Sequence, residues 1–327
     1  MHFPAKSRRA LIACLLATMS WTGLSACEST PAPPPTEQAV GIPVDAPKVT
    51  LLDAGHGEKI ALRYQDVDED ARSLTADVSQ GFDQHVVRAD RLDPHPPSDL
   101  HADTARLPLN VVTHAPAEGE KDSARAEATR AVEARLTGAP QSSEVSRNED
   151  LAGAEGFRYG WRAQDQGRIS EIQVAAPHEA SEDARGYIES AFKTLTAYQV
   201  VLPDEPVGEG AQWTVESRVA ADNSYLQTIT YTVTSIASDT VTLSVDIEQR
   251  PTLGALQDGE HTLSVLGTQT SSTGELTFDL HSALPRSGSL SATTRVVYGE
   301  KDSDVRVVQD LTSSVRYSPA QQESAKS

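Results

Sequence analysis

LQTITYTVTSIASDTVTLSVDIEQ, residues 226–249, is the stretch that decides the fold. Ile229, Tyr231 and Val233 alternate with Thr228, Thr230 and Thr232. Past Ser238-Asp239, Val241, Leu243, Val245 and Ile247 alternate with Thr242, Ser244 and Asp246. A period of two is that of a strand, with successive side chains on opposite faces, so this reads as an antiparallel hairpin with one buried and one wet face.

The same period extends in both directions. Leu276-Phe278-Leu280, Leu290 to Val297 and Val305 to Tyr317 are strand-like, joined by turns such as Pro285-Arg286-Ser287-Gly288. Upstream, Phe157, Tyr159 and Trp161 share one face, and Asp165-Gln166-Gly167 turns the chain into a strand around Ile169. Ser73 to Ser79 and Leu107 to His114 also alternate, whereas Ser123 to Leu136, rich in alanine and glutamate, is ambiguous.

One segment changes period. Ala184, Ile188, Ala191, Phe192 and Leu195 fall at helical spacing, which predicts an amphipathic helix over about 180–198. Ser181 suits the N-cap, and Glu182 and Asp183 suit the first turn, where the helix dipole favours acids. The expected fold is mainly β: a curved antiparallel sheet or sandwich, half-barrel-like, with this helix packed on it, over residues 49–318. Residues 319–327 read as a disordered tail.

After the helix, Pro203 and Pro206 forbid helical continuation, and Gly208 and Gly210 permit a tight corner before Trp213. The pattern L-P-x-x-P-V-G-x-G-x-x-W, Leu202 to Trp213, resembles a family of uncharacterised bacterial lipoproteins and secreted proteins, a domain of unknown function. Leu51-Leu52-Asp53-Ala54-Gly55 and Leu62-Arg63-Tyr64 add to the likeness. The resemblance implies a fold and brings no reaction.

A second resemblance is local. Asp53-Ala54-Gly55-His56-Gly57 is similar to the opening of zinc-dependent N-acetylmuramoyl-L-alanine amidases, where the histidine binds metal. Such a centre needs three protein ligands, an open position and a carboxylate base. His56, Glu69, His114 and Glu155 can be aligned with those roles. The amidase fold, however, is a parallel sheet with crossover helices, and the chain between His56 and His114 lacks strong helical periods. Gly55 and Gly57 are therefore expected to shape a loop with His56 on its surface.

Asp66, Asp68 and Asp70 occupy the first ligand spacings of a calcium loop. Ala71 stands where that loop needs glycine and Asp77 where it needs glutamate, so a solvated acidic turn is expected. Asp93, His95, Asp99, His101 and Asp103 crowd a proline-rich loop without a zinc spacing. No G-x-S-x-G elbow and no glycine-rich phosphate loop is present. The expectation is a protein without enzymatic activity or cofactor.

The amino terminus addresses the chain. Lys6, Arg8 and Arg9 precede an apolar run, Ala10 to Trp21, too short to span a bilayer, and Leu24-Ser25-Ala26-Cys27 follows. This is the order of a bacterial lipoprotein signal over residues 1–26, with Cys27 the residue lipidated and the membrane the partner it implies. Cys14 would leave with the signal, so no disulfide can form within the mature chain. Residues 27–48, rich in proline, read as an extended tether. Glu28 after the cysteine points to the outer membrane, facing the periplasm or the cell surface.

The formal net charge is −19, and losing Lys6, Arg8 and Arg9 with the signal takes it to −22. That field repels nucleic acid and anionic headgroups. A hydrophobic ligand or an envelope protein fits better. A helix-covered half-barrel could carry lipid, but valines, leucines and isoleucines facing inward describe a filled core and a lined pocket equally well.

Overall fold

The computed structural model describes residues 34–116, 128–219, 225–258 and 261–320. The signal, Cys27 and residues 321–327 lie outside the described residues. Among the described residues, seventeen strands run in chain order: β1 (Val40–Pro43), β2 (Lys48–Asp53), β3 (His56–Ile60), β4 (Arg72–Arg88), β5 (Asp103–His114) and β6 (Arg130–Leu136). Next come β7 (Gln141–Ser142), β8 (Arg158–Ala163), β9 (Ile169–Ala175), β10 (Val207–Glu209), β11 (Gln212–Val219) and β12 (Tyr225–Ala237). The last are β13 (Thr240–Pro251), β14 (Ala255–Asp258), β15 (His261–Asp279), β16 (Ser287–Gly299) and β17 (Val305–Pro319). Helix α1 (Asn148–Leu151) is a single turn, and α2 (Glu182–Ala197) is the amphipathic helix.

The protein is mainly β, and its large antiparallel sheet is not closed. The strand order is β1-β9-β8-β6-β5-β4-β17-β16-β15-β13-β12-β11-β2, with β7 and β14 off this path and β3 and β10 paired apart. The edge strands, β1 and β2, are consecutive in the chain and separated only by residues 44–47. Laid flat, thirteen strands would part those edges by roughly 58 Å, at about 4.8 Å per strand. The link can span at most about 18 Å. The sheet is therefore curled until its edges nearly meet: an incomplete barrel rather than a sandwich.

A barrel this wide is not filled by side chains alone. Here the chain fills it. Helix α2 crosses one mouth: Phe192 stacks on Tyr159 of β8 at 4.5 Å, Gln80 of β4 bonds Ser190 and Thr194, and the Ala197 carbonyl accepts from Gln227 of β12. Residues 198–203 then run down the lumen, all buried. Tyr198 meets Ser313 at 2.6 Å, the Val200 and Val201 carbonyls accept from Tyr64 and Trp213, and Leu202 N–H donates to Gln166 O at the opposite mouth. Leu62 and Tyr64 close that mouth.

At the helix-capped mouth a polar belt separates two apolar regions. Gln227, Gln249, Thr294 and Thr270 are linked in series at 2.9–3.0 Å, and Gln309 bonds Gln84 at 2.7 Å. Below lies the main core; above it Tyr225, Val296 and Tyr298 form a small second cluster.

Two boundaries differ from the expectation, and one ambiguous segment is settled where it is described. Residues 34–48 are not a free tether: Glu37 N–H donates to Ala176 O, the Pro35 carbonyl accepts from His178, and β1 pairs with β9. The segment 123–136 resolves into strand β6 where described. Strand β17 runs to Pro319, into the expected tail.

Candidate functional site

The two glycine motifs meet each other. Strands β3 and β10 pair at Ile60–Val207 and His56–Glu209, and Gly208 N–H donates to Ala54 O at 3.0 Å. A Cβ on Gly208 would run into the His56 carbonyl oxygen, and one on Gly55, at φ +76°, into the backbone of Glu209 and Ala211. D-A-G-H-G and V-G-E-G are thus two halves of one interlocked corner, braced by Lys59 on the carbonyls of Ala54 and Gly55. His56 opens strand β3 and does not sit in a loop; its side chain is exposed.

The residues aligned with the amidase centre do not converge in a metal-binding group. His114 ends β5, exposed, 4.0 Å from Asp68. Glu69 approaches His281 at 3.3 Å, and Glu155 is an exposed residue after the turn at 152–154. Among the described residues, the group whose donor atoms approach within 4.8 Å is Asp83, His85 and Asp310, which contains none of them. There Arg295 already holds both oxygens of Asp310, at 2.8 and 2.7 Å, and Asp83 accepts from or shares a proton with His85 at 2.9 Å. The Asp310 carboxylate in turn raises the Arg295 guanidinium further above its ordinary range. A cation would have to displace a buried arginine.

The three aspartates with calcium-loop spacing part company. Asp68, at φ +62°, and Asp70 are exposed, but Asp66 is 2% exposed, which corrects the expected solvated turn. Its oxygens accept from Arg130 Nε at 2.6 Å, Arg130 Nη2 at 2.5 Å and Thr113 at 2.7 Å. Arg130, 1% exposed, lies 4.0 Å over the Tyr64 ring. Sequence reasoning missed this ion pair. The signal existed: Arg130 falls in phase with Val132, Ala134 and Leu136, the inward positions of β6.

The histidine- and aspartate-rich loop is likewise spent on loop contacts. Asp93 accepts from His95, its carbonyl accepts from Arg295, and His101 pairs with Glu144. Asp103 accepts from Ser142 and Ser143; burial pushes its pKa up, but these hydroxyls and the Glu144 N–H outweigh that and hold it below the usual range. The interior tyrosines are pushed upward by burial, Tyr198 to about 12 and Tyr64, Tyr159 and Tyr231 further. None of these four exchanges a proton near neutral pH.

An open depression of about 260 Å³ lies between His114, Glu133, Arg158 and Gln173. It is not the elongated apolar cavity a lipid carrier requires. No family model matches this chain, and no curated protein matches it.

Proposed function

We propose that the chain is an envelope lipoprotein, anchored through an acylated Cys27, that acts by binding or as a structural component and not by catalysis. The observation that carries the anchoring is the order Lys6-Ser7-Arg8-Arg9, apolar run, Leu24-Ser25-Ala26-Cys27. Glu28 in the next position favours the outer membrane.

The filled lumen supports a non-catalytic role, since α2 and residues 198–203 occupy the space in which a substrate or an acyl chain would sit. The same filling weighs against the carrier of hydrophobic ligands. The scattered positions of His56, His114, Glu69 and Glu155 weigh against a zinc amidase.

Growth with an alkyne-bearing palmitate analogue tests the anchor. The wild-type chain should take up the label and gain diacylglyceryl mass at Cys27, and Cys27→Ser should take up none. A wild-type chain that stays unlabelled and retains Met1–Ala26 overturns the reading. Native mass spectrometry of the domain released from envelopes tests the rest: a retained lipid would restore the carrier, and a retained zinc the hydrolase.

A further inference from the structure

The docked amino-terminal segment leaves little free chain before the barrel. Pro34 packs where a Cβ on Gly156 would meet its ring at 3.1 Å, and Glu37 pairs with Arg185 of α2 at 2.8 Å. Only residues 28–33 lie between Cys27 and Pro34. The seven Cα–Cα steps between them reach at most about 25 Å when fully extended. The chain therefore enters the barrel beside the first turn of α2, at the helix-capped mouth, on a short lead.

The same mouth carries an apolar surface. Past Gln80, which bonds α2, β4 continues for eight residues to Arg88, about 26 Å at roughly 3.3 Å per residue. Strands β17, β16 and β15 continue beside it, forming a flap beyond the helix that the polar belt crosses at Gln84 and Gln309. Cross-strand register aligns Val86 with Val307, Val307 with Tyr298 and Tyr298 with Val265, an apolar row in which Tyr298 is buried and Val307 and Val265 half-buried; Phe82 faces Leu311 two rows down, beyond the Gln84–Gln309 pair. Val86 is 66% exposed and Phe82 58%. Val305, one pair further along, is exposed too, as is Leu253 on the far side of the flap, next to Gly254, whose carbonyl accepts from Val265. The exposed members, Val86 and its neighbour Val305 at the end of the flap, form an apolar edge of the kind that marks an interaction site.

We propose that the end of this flap docks on the membrane to which Cys27 is fixed, so that the barrel stands with its helix-capped mouth toward the lipid. The proposal rests on the lipoprotein reading above. The reach of the lead and the length of the flap are nearly equal, so an anchor in the bilayer brings the end of the flap, with Val86 and Val305, to its surface. The net charge of −22 after loss of the signal excludes attraction to anionic headgroups, so the contact is with the apolar and zwitterionic part of the interface.

The mature chain has no free thiol once Cys27 is a thioether, which makes single-cysteine labelling clean. Full-length lipidated protein carrying Val86→Cys, or Glu205→Cys at the opposite mouth, is labelled with an environment-sensitive fluorophore. It is then reconstituted in phosphatidylcholine vesicles with or without brominated acyl chains. The Val86 label should be quenched at least twofold more than the Glu205 label. Equal or absent quenching in a chain that floats with the vesicles and carries acyl mass overturns the docking. So does a Val86 label shielded from solvent yet blind to bromine, with the chain dimeric, because a second copy then covers the flap. A chain without acyl mass removes both readings, and the intact mass reports that failure separately.

Discussion

Asp66 and Arg130 illustrate what a single buried charge demands. Both are sealed from solvent, and each compensates the other through a two-point contact that Thr113 completes. Removing one partner leaves an uncompensated interior charge, which costs about 3–5 kcal/mol, whereas replacing both with apolar groups of similar volume is nearly neutral. Asp66→Ala should therefore lower the unfolding free energy by about 3–5 kcal/mol in urea melts, and Asp66→Ala with Arg130→Met should recover most of it. A double variant as weak as the single one would mean the two residues are not energetically coupled. Surface carboxylates give a second test. Asp204, held down chiefly by Arg168, is below the ordinary carboxylate range, as are Asp103 and Asp279. A depressed folded pKa adds stability that is complete above the unfolded value of about 4 and is lost as pH falls through the folded one. Stability should accordingly drop below about pH 4, and Asp103→Asn should flatten that acid limb in melts taken across pH. The Asp66-Arg130 pair was hidden from the sequence because Asp66 sits in an acidic run whose spacing suggests solvent. Its partner is 64 residues away.

At the scale of elements, the corner built from β3 and β10 separates what a motif looks like from what it does. Its glycines are required by contact, since side chains at positions 55 and 208 would meet backbone atoms. Its histidine is exposed. Gly208→Ala should therefore destabilise by about 1–3 kcal/mol, the range for forcing atoms into packed space. His56→Ala should change stability by less than about 0.5 kcal/mol, as ordinary surface substitutions do. The reverse ranking, in denaturant melts of the two variants, would reopen a role for His56. Helix α2 offers a comparable test, for Ser181 Oγ accepts from Ala184 N–H at 3.0 Å, and Ser181→Ala should cost about 1 kcal/mol. Elements of this kind were legible in the sequence. The hairpin of β12 and β13 keeps Ile229, Tyr231, Val241, Leu243 and Ile247 buried, as their alternation requires, and α2 buries the five apolar residues at helical spacing. Strand β1 was not legible. Its four residues are all exposed and lie among prolines, so neither periodicity nor hydrophobicity distinguishes them from a spacer.

For the whole molecule, the expected curved antiparallel sheet is the one the chain forms, but how far it curls was not legible, because that is set by which strands end at its edges and local periodicity carries no such information. The lumen segment 198–203 was hidden for the same reason: a buried apolar run reads alike whether it is a sheet strand or passes down an axis. The docked segment that carries β1 makes this arrangement testable. If residues 27–48 were only a spacer, a domain beginning at Lys48 would behave like one beginning at Pro34. In the folded chain, removing residues 34–47 strips β9 of its partner and exposes Val40's and Ile42's counterparts, Val174 and Ile172, on an open edge. The direct loss is small, since a backbone hydrogen bond contributes only about 1 kcal/mol net and ordering each residue costs a similar amount. The consequence for association is large, because an unpaired strand edge is a template for another strand. The domain truncated at Lys48 should thus melt within a few degrees of the longer one yet form dimers or larger species in light scattering at concentrations where the longer one stays monomeric. Equal monomericity of the two would mean that β1 guards nothing, and residues 34–47 would return to the role of a spacer.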